Sequence, residues 1–206
     1  MTTDHTLFQL FPTTVLQTNI GRNLSEKESD FVMKHRDLVR LNTFNTTSND
    51  SFILENDEMD EIKQFCLTSV DKYFHDVFKV KDTCKLYITQ SWLNFTEKTQ
   101  AHHGHLHFNS VLSGVFYSHT DDEDKLYFTS RQERMKPFQF PISEDNYANA
   151  MVWWVPAKKG SLYIFPSDLW HHVEVKNSDD VRISLSFNTF VKGELGFEEK
   201  LTHLSL

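Results

Sequence analysis

The segment "HHGHLHFNSVLSGVFY", residues 102–117, opens with four histidines in six positions. Side chains on a strand alternate between faces, so His103, His105, His107, Asn109, Ser113, Val115 and Tyr117 share one parity. Two histidines at i and i+2 on one face reach a single ion from one strand. Imidazole nitrogen suits iron, zinc, copper and nickel. A third ligand must come from elsewhere, and "FPSDLWHHVEV" offers His171 and His172 after an apolar strand and a proline turn. Neighbouring strand residues face opposite ways, so at most one of those two is expected to bind. Eleven residues past His171 begins "RISLSFN". There Arg182, Ser184, Ser186 and Asn188 take one face, and Ile183, Leu185 and Phe187 the other. Arginine holds a carboxylate through two parallel hydrogen bonds, and a serine hydroxyl adds a third. In isolation the histidines read as a solvated turn and Arg182 as a surface ion-pair partner. Their order and spacing together point instead to a three-histidine metal site with an anion clamp on another strand.

The elements that must carry these residues lie mostly after residue 84. "KLYITQSWLNF", "SVLSGVFYSH", "KLYFTS", "GSLYIFP" and "VRISLSFNTF" are short, β-branched or aromatic, and bounded by turn residues. Five such runs predict a sandwich or barrel. The first part of the chain differs. Residues 6–20 read as a strand pair around "FPTT". Residues 25–40 read as a helix with Ser25 and Glu28 as a capping box, and "LNTFNTTSND" as a polar loop. A second helix is expected over about 57–79, with Ile62, Phe65, Cys66, Val70, Tyr73, Phe74 and Val77 as one apolar stripe. Helices beside a mostly antiparallel sheet make an α+β arrangement in a single domain, 1–206. Within it, 1–84 holds the N-terminal strands and two supporting helices, 85–191 the β core, and 192–206 a C-terminal tail. Residues 130–152 read as a long irregular insertion of the lid or binding-loop kind.

Composition narrows the classes. The chain has 206 residues, 18 of them phenylalanine, with only 6 glycines and 5 prolines, which argues for a packed globular body. The formal net charge of −8 and the lack of a basic run leave nucleic-acid binding without electrostatic support. Cys66 and Cys84 have no CxxC spacing, so neither a disulfide framework nor a zinc finger is expected. The N-terminus lacks a signal-peptide pattern, and no apolar run approaches the roughly 20 residues that span a bilayer. A reduced, cytoplasmic setting follows as the expectation, and the Phe-, Asn- and Thr-rich texture suits a bacterial or phage protein. On that reading the glycosylation patterns at Asn45 and Asn94 go unused. The sequence carries no signal for an oligomeric state.

"SWLN" at Ser91, "HHGHLHFNSVLSGVFY" at His102, "GSLYIFPSDLWHHV" at Gly160 and "RISLSFN" at Arg182 occur in order over residues 85–190. Together they resemble the iron(II)/2-oxoglutarate-dependent oxygenase superfamily, and more narrowly a family of it with prolyl-hydroxylase-like motifs. The resemblance implies a double-stranded β-helix, a jelly roll of the cupin kind with iron at its open end. It implies His105, His107 and His171 as the metal ligands. His107 stands where most of the superfamily has an aspartate, and Asp168 is the carboxylate weighed against it for completing the metal site. Arg182 and Ser184 would hold the far carboxylate of 2-oxoglutarate, with Tyr117 on the same carboxylate and Asn94 beside the cosubstrate. His102 and His103 would sit at the rim. The implied activity is oxidative decarboxylation of 2-oxoglutarate by O2, coupled to hydroxylation of a C–H bond. The substrate would be a prolyl or other peptide or protein group, or a small molecule. Two other classes compete: a three-histidine cupin dioxygenase that uses no 2-oxoglutarate, and a non-catalytic metal- or sugar-binding jelly roll.

Overall fold

The computed structural model describes residues 5–130 and 141–206. The capping box forms as spaced. The Ser25 hydroxyl accepts the Glu28 N–H at 3.2 Å, and the Glu28 carboxylate accepts the Ser25 N–H at 2.6 Å. Arg22 adds two bonds to the same carboxylate, at 2.6 and 2.7 Å. These contacts start helix α1 (Glu26–Lys34), which ends earlier than expected. After Lys34 the chain tightens into a 3-10 turn, and at Val39 it becomes a strand. The polar stretch after it is not a loop either. It is a hairpin of β2 (Val39–Asn42) and β3 (Asn45–Ser48). Polar side chains hold the hairpin where apolar ones usually would: Thr47 Oγ1 donates to Leu93 O at 3.0 Å, and Ser48 Oγ accepts the Leu93 N–H at 3.0 Å. The expected strand pair over 6–20 reduces to one strand, β1 (Leu16–Asn19). Leu7, Phe8, Leu10 and Phe11 are exposed, and β1 pairs with a distant strand rather than with them.

Helix α2 (Asp60–Asp76) buries Ile62, Cys66, Val70, Tyr73 and Phe74, while Val77 lies beyond it and is exposed. Burial pushes the Cys66 thiol pKa far up, which makes the group inert. The remaining strands are β4 (Cys84–Thr96), β5 (His102–His105), β6 (Leu112–His119), β7 (Lys125–Thr129), β8 (Val152–Pro156), β9 (Ser161–Pro166), β10 (His171–Val173), β11 (Arg182–Leu195) and β12 (Leu204–Ser205). The insertion expected over 130–152 therefore ends in the first residue of β8, and its residues 131–140 lie outside the described residues.

Two antiparallel sheets face each other. The larger runs β1-β9-β6-β11-β4-β3-β2, with β12 on β11, and the smaller runs β5-β10-β7-β8. The strand order makes the core a double-stranded β-helix. The larger sheet separates two apolar clusters. On its outer face Leu93, Phe95, Phe116, Ile164, Ile183, Leu185 and Phe187 pack against Val32 of α1 and the α2 stripe. On its inner face Val115, Tyr117, Tyr163 and Phe165 meet Leu126 and Phe128 of the smaller sheet. The alternation of "RISLSFN" is thus real: one parity is core under the helices, and the other looks between the sheets.

Close packing fixes this layering. A Cβ on Gly114 would lie 2.1 Å from the Phe187 ring, whose residue is fully buried. Gly114→Ala is expected to cost roughly 1–3 kcal/mol in urea unfolding, as overpacking does. Phe187→Leu in the same background should return part of that loss.

Candidate metal centre

Pairing of β5 with β10 sets His171 opposite His105. The pairing carries a bulge: His171 to Val173 spans two residues on β10, against three from His105 to His102 on β5. A bulge breaks strict alternation. His102, expected on the opposite face from His105, instead stacks on it with ring centroids 4.8 Å apart and planes 13° apart. Gly104 lets the Trp170 indole pack against β5, since a Cβ there would lie 2.5 Å from the indole nitrogen. His107 lies past the end of β5, and its N–H donates to Ser167 O at 2.9 Å.

The histidines converge through their Nε2 atoms. His105 Nδ1 donates to His103 O at 2.8 Å, and His171 Nδ1 donates to Leu169 O at 2.9 Å. His107 Nδ1 donates to Asn188 Oδ1, an oxygen that also accepts from Ser113 Oγ at 3.2 Å. A backbone carbonyl or a side-chain amide oxygen only accepts, so each Nδ1 carries the hydrogen and each Nε2 keeps its lone pair. The Nε2 atoms of His105 and His107 are 3.1 Å apart, and one nitrogen from each of His105, His107 and His171 falls within 4.8 Å of the others. Two imidazole nitrogens that share one metal at about 2.0–2.1 Å sit about 3 Å apart. His102, His103 and His105 form a second group within the same limit. Both groups share His105. Burial favours the neutral form of His102, His105, His107 and His171. It pushes His105 down to about 4 and His102 to about 3, with neighbouring imidazoles adding to both. His171 is lowered for the same reasons. Burial also lowers His107, against the bond to Asn188, which works the other way.

Asp168 is exposed and belongs to neither histidine group. His172 turns away and stacks on Tyr127 at 5.1 Å. Trp92 lies alongside His107, with ring centroids 5.7 Å apart. A cavity of about 400 Å3 opens over the cluster, lined by Arg40, Leu41, Thr47, Trp92, His105 and His107 among others.

The expected clamp residues gather on three neighbouring strands. Ser184 on β11 is in register with Asn94 on β4 and Tyr117 on β6. Asn94 Nδ2 donates to Ser186 Oγ at 3.0 Å, while its Oδ1 is buried without a partner among the described residues. Tyr117 is buried, which raises its phenol pKa and keeps the hydroxyl a donor. Arg182 is 4% exposed and departs from the expected free fork. Its Nη1 is already bonded to Asp124 at 2.8 Å, and its Nη2 is buried without a partner among the described residues. Arg182 also borders a different cavity from the histidines, about 380 Å3 and shared with Asp124, Lys125, Tyr127 and Lys176. Four residues of β11, about 13 Å, separate Ser184 from Asn188.

Sequence reading gave no role to Asn188, Asp124 or Lys176. Asn188 was readable in kind, because it shares Arg182's parity. Asp124 and Lys176 sit in the polar runs "DDEDK" and "VEVKN", where nothing in the spacing marks them.

Neutral, buried histidines tie stability to pH. Their native pKa values lie below the usual 6.5, so between about pH 6.5 and 4 the unfolded chain binds protons that the native chain does not. The metal-free protein is expected to lose stability as pH falls through that window, by up to about 1.4 kcal/mol per pH unit for each such histidine. Thermal unfolding at pH 7.5, 6 and 5 measures this, and a flat Tm would contradict it.

Among known proteins, the sequence profile of the family described as "Putative 2OG-Fe(II) oxygenase" matches residues 90–188. A search of curated protein sequences found no match. Solved structures with a similar fold include the carbocyclase SnoK from nogalamycin biosynthesis, described as non-heme and α-ketoglutarate dependent. It has a TM-score of 0.60 at 10% identity, over 88% of this chain and 82% of that one. HygX from Streptomyces hygroscopicus, with nickel, 2-oxoglutarate and hygromycin B bound, has a TM-score of 0.56 at 10% identity over 86% and 83%. A 2OG-Fe(II) oxygenase family oxidoreductase from Burkholderia pseudomallei has 0.57 at 11% over 85% and 84%. At such identities the structures speak for the double-stranded β-helix alone. The profile match spans the strands that carry the histidines and the clamp, and over residues 90–188 this chain is similar to the 2OG-Fe(II) oxygenase family.

Proposed function

We propose that this chain binds iron(II) through His105, His107 and His171 and 2-oxoglutarate through Arg182, and hydroxylates a C–H bond of a third molecule. The observation that carries the reading is the pair of Nε2 lone pairs 3.1 Å apart, an arrangement a cation between them would relieve. Three neutral imidazoles leave the metal its full charge, which strengthens its hold on an anionic cosubstrate. When bound, the metal and 2-oxoglutarate supply the activation of O2 and its electrons. The protein holds and orients. Asn188 fixes the His107 tautomer, and Trp92 shields one side of that ring. The unpartnered Nη2 of Arg182 suits a buried carboxylate, with the Ser184 and Tyr117 hydroxyls as neutral donors to it and Asn94 beside it. The mouth presents Arg40, Leu41 and Trp92 to the incoming substrate.

The buried, unpartnered Nη2 favours this reading over a cupin dioxygenase without 2-oxoglutarate, which would have no use for it. The substrate is a small molecule or a peptide or protein group. The prolyl reading rests on sequence resemblance alone, while the solved neighbours include an epimerase, a carbocyclase and HygX with hygromycin B bound. A cytoplasmic setting accords with two free, buried cysteines. Among the described residues no helix is long and apolar enough to cross a membrane.

Anaerobic titration of the protein with iron(II) and then 2-oxoglutarate tests the assignment. A metal-to-ligand charge-transfer band is expected, lost in His171→Ala and weakened in Arg182→Ala. No band in the unaltered protein would remove 2-oxoglutarate from the account. A separate titration of metal-free protein with cobalt(II) isolates the Asn188 contact. Asn188→Leu should bind cobalt roughly 10–100-fold more weakly, the usual cost of losing the partner that orients a ligating histidine.

A further inference from the structure

The clamp arginine is embedded in a buried ion network that no motif foretold. Asp124, bonded to Arg182 Nη1, lies 3.1 Å from Lys176 Nζ. Lys176 also donates to Asp121 at 2.5 Å, and its side chain is 1% exposed. Asp121 accepts in addition from Ser178 Oγ and from the backbone N–H groups of Glu123 and Asp124. Burial works to raise the Asp121 carboxyl, but the Lys176 and Ser178 bonds outweigh it and hold it down at about 2. The contacts join two basic side chains, Lys176 and Arg182, to two carboxylates, Asp121 and Asp124. A clamp arginine paired with one carboxylate has little charge left for a second. Two carboxylates beside it would repel an incoming dianion.

We propose that Lys176 is a positioning residue for the cosubstrate: it neutralises the Asp121–Asp124 pair, so that Asp124 can hold the Arg182 guanidinium without cancelling its attraction for the far carboxylate of 2-oxoglutarate. The inference rests on the function proposed above. Asp124 is the mechanical part of the device. It takes Nη1, and so leaves Nη2 as the arm that meets the ligand. Lys176 is the electrostatic part and touches no ligand itself. At an effective dielectric constant of about 20, one charge removed roughly 8 Å away changes an ion's energy by enough for a tenfold effect or more.

The test is 2-oxoglutarate affinity of the iron(II)-loaded protein under anaerobic conditions, read from the charge-transfer band, with circular dichroism as a check on folding. Lys176→Met should weaken binding about tenfold or more, leaving cobalt(II) affinity of the metal-free protein unchanged. Asp124→Asn, which removes a negative charge and keeps a hydrogen-bonding side chain, should tighten binding or leave it as it was. The double variant restores the charge balance and should recover most of the affinity lost in Lys176→Met. A purely structural lysine predicts the opposite, with the double variant no better than the single one, and that result overturns the proposal. Should Lys176→Met fail to fold, a weaker affinity in Asp124→Asn overturns it as well. Unaltered affinity in Arg182→Ala would instead sink the underlying assignment of the clamp.

Discussion

Three imidazoles are fixed in tautomer and orientation when each Nδ1–H donates to an oxygen. That condition governs this structure. Two of the oxygens are backbone carbonyls, of His103 and Leu169, each two residues from the ring it fixes. These bonds are local and follow once the flanking backbone is placed. The third oxygen belongs to Asn188, eighty-one residues from His107. It is delivered by the larger sheet, not by local chain geometry. A carboxylate at position 107 would need no such partner, because it has no tautomer to set. Histidine in that place makes the orientation of its ring depend on β11.

β11 depends in turn on its two faces. Ile183, Leu185 and Phe187 lock it under α2 and against β6, where Gly114 yields the space that Phe187 fills. The apolar parity thereby fixes which way Arg182, Ser184, Ser186 and Asn188 point. Since strand side chains repeat every two residues, a slip of one would turn all four out of the space between the sheets. The helices contribute nothing to the chemistry directly. They supply the burial that makes the slip expensive.

Legibility in the sequence followed the same division. Where one parity is apolar and the other polar, as in "RISLSFN", the pattern stated both the strand and the face. The α2 stripe was legible for the same reason. The β2–β3 hairpin was not, because its buried positions are Asn45, Thr47 and Ser48, held by hydrogen bonds to β4 instead of by apolar packing. Periodicity of hydrophobic residues cannot report a strand whose inward face is polar. The opposite error arose at the N-terminus, where Leu7, Phe8, Leu10 and Phe11 looked like strand material and lie exposed. At the centre itself alternation failed at the β5 bulge, which brings His102 against His105. The ordered motifs singled out three of the five clustered histidines, which parity could not do.

The ion network around Arg182 marks the limit of such reading. Lys176, Asp121 and Asp124 look like ordinary surface charges in polar runs, yet burial of Lys176 and Asp124 makes their pairing obligatory. A lone buried charge costs several kcal/mol, and only partners in good geometry offset it. Arg182 therefore could not wait in the interior for a ligand with no partner at all. It had to be paired with a protein carboxylate, and that carboxylate had to be balanced in turn if the arginine was to keep any pull on a further anion. Placing one cation between the sheets thus requires the other three charges. The sequence states the cation through its place on the polar parity of "RISLSFN", eleven residues past His171. It leaves the balancing charges to the fold, which brings residues 121, 124 and 176 together from two loops.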